Sequence, residues 1–181
     1  MKATLPGGRV NTLPDCSIDI PDYEFGPVLF QSLPEIEDTK ESNYEASDVI
    51  GRTQPFVTYR NSGFRKINMT MHYYVTDQND ISMIWSFIRA LQSVVYPGPG
   101  DQSVPYTPPA ICQLSCGNIF NDINDRNYIC AVCTNVGVRY PVDYVWDETT
   151  YLPYRVDITT SWYAVYSPDE LPGSDMILDL A

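Results

Sequence analysis

Positive charge is scarce in this chain: 11 lysines and arginines stand against 23 aspartates and glutamates, a formal net charge of -12. No basic patch can be assembled without ignoring a surplus of carboxylates, which argues against tight binding to a phosphate backbone. It does not exclude a wall that nucleic acid slides past. Histidine is reduced to one residue, His72, so imidazole chemistry has a single candidate. No phosphate loop and no dinucleotide fingerprint occur, and no apolar run approaches the length needed to span a bilayer. The N-terminus lacks the basic-then-apolar pattern of a secretory leader. The expectation is a protein assembled in a reducing cytoplasm with no membrane partner, and five cysteines, an odd number, suit that better than a disulfide framework.

What is present in quantity is apolar and aromatic. The 181 residues make about one domain, and 44% hydrophobic content, with 14 tyrosines, is enough for a core plus partner contacts. One segment, residues 79–96, repeats its apolar residues at helical spacing. Ile81, Ile84, Trp85, Ile88, Leu91 and Val95 form a stripe opposite Ser82, Ser86, Arg89, Gln92 and Ser93. Asp77, Asn79 and Asp80 are placed to cap its first turn, and Tyr96-Pro97-Gly98-Pro99-Gly100 stops it. The other periodic segments read as strands. A lone apolar stripe must bury itself on a sheet, so the expected fold is mainly β: an antiparallel sheet or small barrel with one packed helix.

The chain divides by composition into three parts. Residues 1–48 read as an acidic, proline-containing arm: between Asp15 and Asp48 lie ten acidic residues and one base, Lys40, interrupted by an apolar patch at Val28, Leu29 and Phe30. Such a segment is either a partly ordered tail or an arm that docks its patch on a neighbour. Residues 49–166 read as the β domain, and residues 167–181 as an acidic tail with a short apolar run at Met176, Ile177 and Leu178. Within the domain, residues 56–60, the turn Asn61-Ser62-Gly63 and residues 65–75 form an expected hairpin. Its second arm alternates strictly, with Ile67, Met69, Met71, Tyr73 and Val75 on one face and Lys66, Asn68, Thr70, His72 and Tyr74 on the other. Further strands are expected at residues 110–116, 128–140 and 154–166, for five in all.

Cys112-x3-Cys116 and Cys130-x2-Cys133 have the outline of a zinc ribbon, but the pairs sit in alternating apolar segments rather than at turn tips. On a strand, Cys112 and Cys116 share a face while Cys130 and Cys133 point oppositely, so the alternative is buried thiols acting as small hydrophobes. No metal or cofactor is expected. His72 with one of these thiols would make a nucleophile pair only if the fold joined them; an ordinary imidazole on a polar face is the plainer reading. Asp77 with Asp80 reads as helix capping, and Asp122 with Asp125 as turn chemistry. Asn68-Met69-Thr70 fits a glycosylation triplet but lies mid-strand. No catalytic constellation stands out, and an enzyme is not expected.

The run Ile84-Trp85-Ser86-Phe87-Ile88-Arg89-Ala90-Leu91, then Tyr96-Pro97, then Thr107-Pro108-Pro109-Ala110-Ile111-Cys112-Gln113-Leu114-Ser115-Cys116-Gly117, and finally Leu152-Pro153-Tyr154-Arg155-Val156, resembles the tube-fold proteins of contractile-tailed bacteriophages. The likeness, to the baseplate components that start the tail tube, covers residues 56–166. It implies a virion protein in a hexameric or pseudo-hexameric ring, stacked on tail tube, sheath and baseplate hub proteins, with its inner sheets lining a DNA channel. Residues expected at subunit contacts are Val28, Leu29 and Phe30 of the arm and Phe56 and Tyr59 of the hairpin. Two alternatives come with it: the tail tube protein itself, and a zinc-ribbon binding module.

Overall fold

The computed structural model describes residues 13–21, 26–48, 50–51, 53–99, 106–120, 127–148 and 152–167. The first twelve residues of the arm, Asp122, Asp125 and the acidic tail beyond residue 167 lie outside them. Among the described residues the architecture is a seven-stranded antiparallel sheet with one helix on it. Its strands are β1 (Leu13–Asp19), β2 (Val28–Phe30), β3 (Glu35–Ser47), β4 (Phe56–Tyr74), β7 (Ile111–Cys116), β8 (Ile129–Arg139) and β9 (Arg155–Ala164). Across the sheet they run β2-β1-β7-β8-β9-β4-β3, and a separate two-stranded piece joins β5 (Gly98–Pro99) to β6 (Tyr106–Thr107). The sheet is open, with β2 and β3 at its two edges, rather than closed into a barrel.

Seven strands replace the expected five because residues 13–47 add three to the sheet and the two expected hairpin arms are the single strand β4. Ile18, Val28 and Phe30 are fully buried beside Ile67, Met69, Met71 and Tyr73 of β4. The boundary at residue 48 therefore does not separate an arm from a domain. Composition hid this because β3 is a polar edge strand exposed along most of both sides, with only Ile36 and Thr39 half-buried, leaving no alternation to read. Gln31 reinforces the junction: its side chain accepts from the Tyr74 amide at 2.6 Å and donates to the Tyr74 carbonyl at 3.2 Å. In this way it continues the β4 edge where β3 has ended.

The expected hairpin at Asn61-Ser62-Gly63 is also corrected. β4 runs unbroken for 19 residues, and its partner is β3, in register from Glu35↔Thr70 to Ser47↔Phe56. Gly63 is not in the left-handed region; Gly51, at φ 89°, lies between the paired ends of β3 and β4. A side chain at Gly63 would put its Cβ 3.3 Å from the Glu41 carbonyl oxygen. The glycine thus marks a close approach next to the irregularity between Lys40 and Ser42.

Helix α1 (Gln78–Ser93) buries Ile84, Phe87, Ile88, Leu91 and, just past its end, Val94. The buried face is rotated slightly from the sequence stripe, leaving Ile81, Trp85 and Val95 half-buried at its margin. Each fully buried apolar side chain contributes about 1.5–3 kcal/mol, and Phe87 lies against Tyr73 with ring centroids 6.1 Å apart. The helix starts with a side-chain cap supplied from within its first turn. Oδ2 of Asp80 accepts from the Thr76 amide, the Thr76 hydroxyl and the Asp77 amide at 3.0, 2.8 and 2.9 Å. On the same side of the sheet Trp162 is fully buried, and its indole donates to the buried Thr160 hydroxyl at 2.8 Å.

Candidate functional site

Two surfaces remain after the core is filled. The first is the outer half of the β3–β4 ladder. β9 pairs with β4 only from Lys66 to Tyr74, whereas β3 follows β4 out to Phe56. Among the described residues, the outer stretch is a two-stranded ribbon with no third strand. It is exposed on both faces. At about 3.3 Å per residue, the span from residue 56 to residue 65 reaches on the order of 30 Å. Tyr44 and Tyr59 stand opposite each other, 63% and 54% exposed, with their rings edge-on at 5.7 Å. Phe56, Val57 and Phe64 are exposed as well. An isolated two-stranded ribbon is at best marginal in water. This one is held by the Asn43–Asn61 side-chain bond at 2.9 Å and by the Tyr59–Ser62 hydroxyl contact at 2.8 Å. At its root, Arg65 Nε donates to both Asp38 carboxylate oxygens at 3.0 Å.

The second surface is the side of the sheet away from the helix. Register places polar residues in rows across four strands: Glu37, Asn68, Ser161 and Asn135 form one, and Glu35, Thr70, Thr159 and Gly137 the next. The third row, His72, Asp157 and Arg139, holds the tightest cluster. His72 Nδ1 lies 2.6 Å from Asp157 Oδ1, and Arg155 Nε donates to the same oxygen at 2.7 Å. The Arg155 guanidinium lies over the Tyr144 ring at 4.8 Å and the Tyr74 ring at 5.7 Å. Burial pushes the Asp157 carboxyl up, but hydrogen bonds from Arg155 and His72 outweigh it and hold the group below the ordinary carboxylate range. On this face Lys66, Arg139 and Arg155 stand against Asp19, Glu35, Glu37 and Asp157. The acid surplus of the chain is therefore not concentrated there.

The four zinc-ribbon candidates do not converge. Cys112, Cys116 and Cys133 point into the core, while Cys130, opposite Gln113, lies on the other face. Among the described residues no group of three or more His, Cys, Asp or Glu is arranged to hold a metal ion. Burial pushes the Cys112 and Cys116 thiols up to about 12 and Cys133 up to about 11, so all three are thiols rather than thiolates at neutral pH. His72 pairs with a carboxylate and not with a thiol. Of the expected subunit contacts, Phe56 and Tyr59 lie exposed on the ribbon. Val28 and Phe30 do not serve: they are 0% and 1% exposed, and the Leu29 carbonyl between them accepts from the Tyr73 hydroxyl at 3.1 Å.

Sequence reasoning missed Tyr44, because β3 carries no period, and it missed the partner of His72. The signal for the latter was the Arg155-x-Asp157 spacing on the polar side of an alternating strand. No protein-family model matches the chain, and no curated protein matches it significantly. No helix among the described residues is long and apolar enough to cross a membrane.

Proposed function

We propose that the chain is a structural, non-enzymatic protein of a contractile phage tail, a ring component that joins the tail tube to the baseplate and lines the DNA channel. The observation that carries this reading is the β3–β4 ribbon. It is a long, two-sided, aromatic-bearing extension that no described residue covers, attached to a sheet whose two edge strands, β2 and β3, pair with no further strand among the described residues. Exposed edges and two-sided ribbons are liabilities for a solitary protein, and they are resolved by pairing with copies of the same chain. The face of Glu37, Asn68, Thr70, Thr159 and Ser161 suits a wet lumen. Its interspersed charges offer a passing duplex neither a basic track nor a strongly repelling wall.

The test pairs assembly with folding. Each ribbon tyrosine buried at a subunit contact contributes on the order of 2 kcal/mol. Tyr44→Ser with Tyr59→Ser should therefore raise the dissociation constant about a thousandfold, while leaving the melting temperature of the subunit nearly unchanged. Sedimentation of the full chain should show a ring, expected to be a hexamer, that the double variant fails to form. Electron microscopy of the native particle should place that ring between tube and baseplate. A wild-type chain that stays monomeric at every concentration, and is absent from the particle, overturns the proposal.

A further inference from the structure

Cys16 and Cys116 face each other in the β1–β7 ladder, which has only four register pairs, from Cys16↔Cys116 to Asp19↔Gln113. Directly opposed residues leave an antiparallel pair on the same side, here the core side, where both are buried. Their Sγ atoms lie 3.0 Å apart, inside the van der Waals contact of two sulfurs, and neither belongs to a disulfide. Opposed Cα atoms in such a pair are about 4.5–5.5 Å apart, within the roughly 4.4–6.8 Å that a disulfide spans. Bond formation therefore needs a side-chain adjustment and no slip of register.

We infer that Cys16 and Cys116 are a modification site: a reversible disulfide that staples β1 to β7 when the chain meets a peroxide or a small-molecule disulfide. The other thiols are arranged differently. Cys112 pairs in register with Ala131, and Cys133 with Trp162. Those two cysteines are thus diagonal across the ladder, about 7–8 Å apart. Their sulfurs are directed to the Ala110 and Asn135 carbonyls. Cys130 lies on the opposite face of the sheet.

With peroxide, one sulfur attacks an oxygen, the O–O bond breaks, water leaves and a sulfenic acid remains. The second sulfur attacks that sulfur, the S–O bond breaks, and another water carries off the second thiol proton. Two thiols have lost two electrons and two protons, and the peroxide has become two waters. A small-molecule disulfide reaches the same product by two exchange steps, releasing its two halves as thiols. Burial, which pushes the Cys116 thiol up to about 12, makes the folded pair slow to react, so the rate should climb as pH rises.

The consequence lies in what β1 holds. β1 carries β2, and its pairing to the rest of the sheet is the short ladder with β7. The cross-link joins residues 100 apart in sequence. Closing a loop of that length restricts the unfolded chain enough to raise the melting temperature by about 10 °C.

The full chain is treated with hydrogen peroxide at mildly alkaline pH, cleared of oxidant, alkylated in denaturant and mapped by mass spectrometry with and without reduction. Two of the five thiols should escape alkylation, in a Cys16–Cys116 linked peptide. The melting temperature should rise by about 10 °C and return on adding dithiothreitol. Cys16→Ala and Cys116→Ser should each abolish both signals. Five unoxidised thiols, a Cys112–Cys133 link, or sulfinic acid at Cys16 or Cys116 overturns the inference. The wild-type map decides this even if a variant fails to fold. Neither result depends on whether the protein forms a ring.

Discussion

Asp80 offers the sharpest test of how the helix is set on the sheet. The side chain is 1% exposed, and one of its oxygens receives all three donors from the preceding turn. The other oxygen is buried and makes no hydrogen bond among the described residues. Hydrogen bonds to a charged group contribute about 1.5–3 kcal/mol each, so simple addition would overstate the loss in Asp80→Ala. Thr76 and Asp77 lie at the surface, and water reaches their donors once the carboxylate is gone. Removing a buried carboxyl that is only half satisfied also recovers part of its desolvation cost. The expected loss is about 2 kcal/mol, or roughly 4–8 °C in melting temperature for a chain of this size. Urea titration followed by far-UV circular dichroism should show a lower midpoint with an unchanged slope. Thr76→Val, which removes the hydroxyl bond alone, should cost about 1 kcal/mol, and adding it to Asp80→Ala should cost almost nothing more. If Asp80→Ala stays within about 0.5 kcal/mol of the parent, the cap is incidental and packing alone sets where the helix begins.

Removing residues 1–48 should abolish cooperative unfolding, because Ile18, Val28 and Phe30 leave the core with it; a shortened chain with a sharp thermal transition and no binding of a hydrophobic dye would refute the assignment of β1–β3 to the sheet. Phe87→Ala should cost about 3–5 kcal/mol by opening a cavity under the helix, read as a lower urea midpoint. Asp157 is held below its ordinary value of 3.8 in the folded chain, so its contribution to stability is present above that pH and is lost as pH falls through the lower folded value. Asp157→Asn should therefore differ most from the parent near neutrality, and the two stability curves should converge in strong acid. A gap that stays constant from neutral pH into acid would show that the His72–Asp157–Arg155 cluster acts through shape and not charge.

Several elements were legible before any coordinates. The alternation from Ile67 to Tyr73 states which side of β4 is core, and the spacing of Ile84, Ile88 and Leu91 states that the segment is a helix with one buried face. The opposite orientations of Cys130 and Cys133 follow from the same two-residue period, which is why the zinc-ribbon outline fails. Phe56 and Tyr59, expected at subunit contacts, are exposed, but on a ribbon that β4 forms with β3 and not in the expected hairpin. Asn61-Ser62-Gly63 has turn composition, yet the pairing of β3 along β4 outweighs that local preference.

The residue pattern by itself determined the strand and helix types of the periodic segments and the buried face of β4, because those depend on spacing within a few neighbours. In β8 it did not, since the register shift between Cys133 and Asn135 changes which residues face the core and leaves Ile129, Ala131 and Cys133 buried. Tertiary structure alone decided partners. It made an acidic, aperiodic stretch into an edge strand, turned Val28 and Phe30 from an expected docking patch into core, and set Cys16 beside a cysteine 100 residues away. Pairing is a contest among distant segments for the same backbone hydrogen bonds and the same buried area. Its outcome is a property of the whole sheet and is not written in any one window of the chain.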